Sequence, residues 1–179
     1  MEKYRQIKQA YEELHRNFLL KNSILVKHLN KRVWAPSIAK EVYRIFQKYG
    51  DKEKVFLDLG SGDGIAVMIA SLFFKRAYGI EIEKEFFDIS LRMKKKIGIH
   101  NAAFLNSDFY KADFSKYDIL FIAPDSEFTL RLENKVSREL DGKLIVYSSI
   151  FQPRTLEQSG HFLTKHFDVF VYENRPKKV

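Results

Sequence analysis

The chain of 179 residues contains no cysteine, which excludes disulfides, thiolate-held metal ions and thiol nucleophiles. No metal site is expected. No stretch approaches the ~18 uninterrupted apolar residues of a membrane-spanning helix. The opening, Met1-Glu2-Lys3-Tyr4-Arg5-Gln6-Ile7-Lys8, lacks the apolar centre of a secretory signal, so a cytoplasmic location is expected. Neither an internal repeat nor a low-complexity linker interrupts the sequence. Its length suits one domain able to bury a core.

Charge is abundant but unevenly placed. Of the net +8, residues 1–48 carry +7, from eleven Lys or Arg against four Glu, while the remaining residues are almost balanced. A basic segment beside a near-neutral body suits an anionic partner such as nucleic acid, an acidic protein face or anionic lipid, or else a solvated helix face. Within that segment Tyr4, Ile7, Tyr11, Leu14 and Phe18 recur at steps of three and four, the signature of an amphipathic helix. Two heptads are too few for a coiled coil, so the stripe is expected to dock on the domain itself, with dimerisation as the alternative. Phe18 to Val26 is expected to turn into a second short helix.

The chain is organised around Val55-Phe56-Leu57-Asp58-Leu59-Gly60-Ser61-Gly62-Asp63-Gly64. Five mostly apolar residues suit a buried parallel strand. Gly60, Gly62 and Gly64 then allow a sharp turn and close approach of a ligand, and Ile65 to Phe74 suits a buried helix. The spacing G-x-G-x-G departs from the dinucleotide pattern G-x-G-x-x-G, because Ile65 stands where the third glycine belongs. No Gly-Lys-Ser or Gly-Lys-Thr follows, which excludes a Walker loop. A second strand, Ala77 to Ile80, ends at Glu81, where a carboxylate can accept two hydrogen bonds from a ribose diol.

These motifs together resemble the class I S-adenosylmethionine (SAM) methyltransferases. That resemblance implies an α/β fold with a doubly wound, mostly parallel, seven-strand sheet, and an organisation in which residues 1–33 form a basic helical extension and 34–179 the SAM-binding domain. It further implies cofactor contacts from Asp58, Gly60, Ser61, Gly62, Gly64, Glu81 and Ile82. Trp34-Ala35-Pro36-Ser37 precedes a helix with Ile38, Val42, Ile45 and Phe46 on one face, and Ser37 can cap it. In such folds a loop here often contributes to the cofactor lid, so Trp34 and Ser37 join the candidates. Lys84 to Ile97 reads as a helix with Phe87 and Leu91 inward and Lys94, Lys95 and Lys96 suited to its carboxyl end. Ala102 to Asn106 is the third strand. Asp108 and Phe109 at its end match the residues that accept the adenine amino group and pack on the ring, Asp108 being equally suited to cap a helix.

Asp118 to Ile122 is the fourth strand, Ser126 to Leu140 a helix, Lys143 to Ser149 the fifth strand, and Phe167 to Tyr172 an antiparallel edge strand; Phe162 to His166 stays unassigned. Without cysteine, pyrimidine C5 methylation lacks its covalent thiolate. Ala123-Pro124-Asp125 also lacks the Asn/Asp-Pro-Pro-Tyr/Phe element of enzymes that methylate flipped nucleobases. Trp34 to Ser37, the glycine turn, Gly79-Ile80-Glu81-Ile82, Ser107 to Tyr110 and Leu144 to Pro153 resemble the seven-strand protein-lysine methyltransferases, among them the telomeric-silencing histone enzymes, the small archaeal enzymes and the ATP-synthase c-subunit enzymes. The two asparagines of the histone enzymes are absent, Pro124-Asp125 standing in their place. The resemblance implies SAM as cofactor and a protein ε-amine as acceptor, engaged through an acidic surface of the substrate protein. An rRNA or tRNA acceptor, a small-molecule amine, and a SAM-binding sensor without activity stay open. A lysine must lose its proton before it attacks, so Phe121, Phe128, Tyr147 and Phe151 are candidates for a dry channel. Asp125, Glu127 and Tyr147 are the catalytic candidates, the two acids aligning the amine.

Overall fold

The computed structural model describes residues 1–22, 27–29 and 32–174. At the centre is a seven-stranded sheet in the order β5-β4-β3-β6-β7-β9-β8. Its parallel part comprises β3 (Val55–Leu59), β4 (Arg76–Glu81), β5 (Ala102–Asn106), β6 (Ile119–Ile122) and β7 (Gly142–Tyr147). β8 (Gln158–Leu163) and β9 (Asp168–Asn174) complete it, both pairings of β9 being antiparallel. Most of these strands are apolar on both faces because both faces are covered. The segment left unassigned, 162–166, therefore holds the end of β8 and the turn into β9.

One face of the sheet carries α1 (Glu2–Asn22), α2 (Ala39–Tyr49), α3 (Ile65–Ala70) and α4 (Lys84–Ile97) around a core of Phe46, Phe56, Met68, Phe74, Phe86 and Phe121. The other face carries α5 (Leu130–Glu139) over Leu57, Leu120, Phe114 and Leu144. The crossover from β5 to β6 is built from two 3-10 turns, Phe109–Lys111 and Phe114–Lys116, with Asp108 and Asp113 accepting from the backbone N–H groups of Tyr110 and Ser115. A small ladder, β1 (Lys27–Leu29) with β2 (Arg32–Trp34), leads from α1 into α2.

The amphipathic stripe docks on the domain. Ile7 and Tyr11 are fully buried, Tyr4 and Leu14 pack at the margin of the same core, and α1 lies against α3 and α4. Phe18 to Asn22 belongs to α1, not to a turn, because the helix runs on past the stripe; residues 23–26 of the expected second helix lie outside the described residues. Lys3 donates to the carbonyl of Ile97 at 3.1 Å, so this basic residue satisfies the carboxyl end of α4. Lys8 forms an i,i+4 pair with Glu12.

Three local expectations are corrected. Ile38, not Ser37, is the N-cap of α2, and no side chain caps that end. The buried face of α4 is Phe86, Ile89, Ser90, Met93 and Ile97, one position out of phase with the expected Phe87 and Leu91; Leu91 is exposed. α5 starts at Leu130, after Thr129, whose Oγ1 accepts from the Leu132 N–H at 3.2 Å. Residues 126–129 are thereby released to line the carboxyl edge of the sheet.

Ile7→Ala removes a fully buried side chain and should cost about 2–5 kcal/mol, a drop of roughly 5–15 °C in Tm for a chain of this size. Leu20→Ala on the same helix, where Leu20 is 76% exposed, should leave Tm within about 1–2 °C. Thermal melts of both variants check the docking.

Candidate functional site

The chain runs from β3 outward through β4 and β5, then returns to place β6 on the other side of β3. In an open sheet this reversal opens a crevice beyond the carboxyl ends of the strands. A cavity of about 460 Å³ lies there, within the ~300–1,000 Å³ of small-molecule sites. Its walls are the segments that leave four strands: 58–63 after β3, 80–83 after β4, 107–110 after β5 and 121–129 after β6, closed by Trp34, Ala35 and Ser37 from the approach to α2.

The glycine turn is held by named bonds. The N–H groups of Gly60 and Ser61 both donate to the carbonyl of Ile80 at 2.9 Å, which ties the turn to β4. Gly62 has φ +52°, and a Cβ there would collide with the Trp34 indole; that ring packs in turn on Phe86 with centroids 4.4 Å apart. Gly64 has φ +87° and starts α3, where a Cβ would meet Ser90 and Phe104 at 2.8 Å. Gly64 is absent from the cavity lining, so its role is packing and helix initiation. Ser61 is buried and its Oγ has no hydrogen-bond partner among the described residues.

Glu81 receives the Gly62 N–H on Oε2 at 2.7 Å and the Glu83 N–H on Oε1 at 2.8 Å. An ionised carboxylate offers about four lone-pair positions, so acceptor capacity remains for a diol. Burial raises the Glu81 pKa above the usual range, and the backbone N–H bonds only partly oppose this. Asp58, 3% exposed, is raised further, first by burial and then by the negative charges of Glu81 and Asp63. Acidic side chains thus gather at the cavity floor, and a cationic ligand there would favour their charged forms. Asp108 caps a 3-10 turn through Oδ1 and also lines the cavity, beside Phe109 and Tyr110. The Tyr110 hydroxyl meets Thr129 Oγ1 at 2.7 Å, and the Arg131 guanidinium lies over its ring, 4.1 Å from the centroid.

Trp34, Ser37, Asp58, Gly60, Ser61, Gly62, Glu81, Ile82, Asp108, Phe109, Asp125 and Glu127 all border this one cavity. Asp125 and Glu127 are exposed at its rim, Glu127 pairing with Arg154 at 3.2 Å. Phe121 and Phe128 form apolar wall. Tyr147 and Phe151 lie outside the lining. Tyr147 is buried behind Phe121, its hydroxyl donating to Glu41 Oε2 at 2.5 Å, and its pKa is driven upward by burial and then by Glu41. The structure thus ties that hydroxyl to Glu41 rather than bringing it to the cavity. Burial alone would raise the pKa of Glu41, but bonds from Thr164, Tyr147 and His166 outweigh it and lower the value. Sequence reasoning missed Asp63, Phe86 and Tyr110. Phe86 carries a readable signal, lying five residues beyond Glu81 on the inward face of α4.

The sheet order, the glycine turn and the cavity over the carboxyl edge together define the class I SAM-dependent methyltransferase fold. No protein-family profile matches the chain. The chain is 29% identical over 151 residues to the human ATP synthase c-subunit lysine N-methyltransferase, covering 81% of this chain and 65% of that protein. To the mouse protein of the same name it is 28% identical over 123 residues, covering 68% and 50%. The chain therefore spans between half and two thirds of the length of these relatives. Among solved structures, an RNA methyltransferase from Salinibacter ruber in complex with S-adenosyl-L-homocysteine superposes with a TM-score of 0.73 at 20% identity, covering 81% of this chain and 97% of that one. A SAM-dependent methyltransferase from Aquifex aeolicus gives 0.59 at 18% identity, covering 74% and 88%. At such identities the likeness shows the fold.

Asp58→Asn should raise the Tm of the ligand-free protein at pH 7.5. A carboxyl whose pKa is raised by folding opposes folding only where the unfolded chain ionises it. The gain over wild type should therefore shrink as pH falls through the raised range and vanish below the ordinary value of 3.8. Paired melts across pH check this sign, and a gain that grows on acidification contradicts it.

Proposed function

We propose that the chain is a SAM-dependent methyltransferase whose acceptor is a protein lysine ε-amine. The observation that carries the cofactor assignment is the Glu81 carboxylate, buried at the end of β4, facing the cavity and joined to the Gly62 N–H of the glycine turn. Residues and group fit. Glu81 takes the ribose hydroxyls, Asp108 and Phe109 take the adenine, and Gly60 to Gly62 with Asp58 take the amino-acid end. The unpaired Ser61 hydroxyl adds a polar group beside them. The methylsulfonium cation of SAM supplies a methyl carbon activated for in-line displacement. Three neighbouring carboxylates, Asp58, Asp63 and Glu81, favour that positively charged cofactor over its neutral demethylated product.

What the chain must add is alignment, dryness and a neutral nucleophile. Phe121 and Phe128 exclude water from the wall after β6, which disfavours the ammonium form of an amine whose ordinary pKa is ~10.4. Asp125 and Glu127 at the rim attract the ammonium before it enters and align it. An amine held between this wall and the rim would face the cofactor's methyl group in its neutral form, and the proton it gives up would pass to solvent at the exposed rim. Similarity to lysine N-methyltransferases over four fifths of this chain supports the protein acceptor. Within that group the Trp34 to Ser37 loop and the Leu144 to Pro153 segment favour the archaeal and telomeric-silencing type, the segment 1–33 forming an extension to the 34–179 domain.

Glu81→Ala removes two charge-assisted bonds of ~1.5–3 kcal/mol each and should weaken SAM tenfold or more by calorimetric titration. Unchanged affinity in a folded variant contradicts the assignment. Incubation with methyl-labelled SAM and cell extract should place label in a protease-sensitive, nuclease-resistant fraction. Label lost to nuclease instead would establish an RNA acceptor.

A further inference from the structure

The amino-terminal helix does more than dock. Its inward residues meet Asp63 of the glycine turn directly and Gly62 through Trp34. The buried Tyr11 hydroxyl donates to the carbonyl of Asp63 at 2.9 Å, and His15 Nε2 meets Asp63 Oδ2 at 2.6 Å. Asp63 is itself buried, and its other oxygen, Oδ1, accepts the Ile65 N–H at 3.1 Å in the first turn of α3. In the tautomer that carries its proton on Nε2, His15 donates to the Asp63 carboxylate oxygen. One residue along, Phe18 packs edge-on to Trp34 at 5.6 Å, and the Trp34 indole closes over Gly62. Gly62 is the residue whose N–H holds Glu81.

From these contacts we propose that α1 is a working part of the cofactor site, with His15 a positioning residue that acts through Asp63 to hold the glycine turn in its binding form. The inference rests on the SAM reading above and extends it to residues remote in sequence from the cofactor motif. A merely structural helix is already accounted for by Ile7, Tyr4 and Leu14, which pack on the core. His15 contributes a polar contact instead. It fixes one oxygen of Asp63 while the other orients the start of α3, so the turn is clamped from both sides.

Trp34 is the single tryptophan and lies on the turn, so its fluorescence reports the site directly. Wild-type protein titrated with SAM should change Trp34 emission in step with calorimetric heat. His15→Ala should bind SAM at least fivefold more weakly. His15→Gln retains an N–H donor for Asp63 and should recover most of that affinity, and Tyr11→Phe, which keeps the buried ring, should lose two- to threefold. A folded His15→Ala variant that binds like wild type overturns the proposal. Equal weakening by Ala and Gln, in proportion to a lowered Tm, also overturns it and leaves α1 a structural element. A wild-type protein that binds no SAM by either method overturns the cofactor reading itself, and this inference with it.

Discussion

One buried carboxylate fixes the geometry on which the site depends. Glu81 ends β4, yet it accepts an N–H from the turn after β3 and another from its own exit loop, so the mouths of two parallel strands are set at a fixed spacing. The parallel ladder from Val55 to Leu59 against Arg76 to Ile80 brings them to that point in register. Burying a charge with two backbone donors is costly in an apolar interior, and Asp58 and Asp63 nearby increase the cost. Under the SAM reading a cationic cofactor would offset this cost, so the same acids would weaken the empty protein and strengthen binding.

The parallel sheet and the cofactor half of the cavity were legible because their signals are local. A five-residue apolar strand running into glycines, and an acid at the next strand end, each carry their meaning within ten residues. Elements whose boundaries depend on tertiary context were less legible. Leu91 reads as inward by helical spacing, but the helix turns so that Phe86 packs on Trp34 and Ser90 lies against Gly64, and Leu91 faces solvent. Tyr147 reads as an acceptor-channel residue because it ends a strand at the carboxyl edge. The sheet places it behind Phe121, where Glu41, more than a hundred residues earlier, claims its hydroxyl. Nothing within either segment announces that pairing. The same holds for His15 and Asp63, which no spacing rule connects.

The carboxylates away from the cavity are held differently from those that line it. Around the cavity, polar groups meet backbone donors through short loops. Outside it, Glu41 gathers Tyr147, Thr164 and His166 into one node that links α2, β7 and the β8–β9 turn. Glu133, buried on α5, similarly accepts from the backbone of Arg154 and Thr155 and from the Thr155 hydroxyl. The loop after β7 is therefore anchored to α5.

The position of β9 has a consequence for how the chain is made. β9 follows β8 in sequence but lies between β7 and β8, with both neighbours antiparallel to it. During synthesis β8 emerges with no strand to join, and β7 presents an open, strongly apolar edge, Leu144 to Tyr147, until residue 174 has cleared the ribosome. At ~5–20 residues per second that interval lasts a few seconds. The apolar edge of β7 is thus covered only once β9 has formed, and until then it stays open to pairing with another chain.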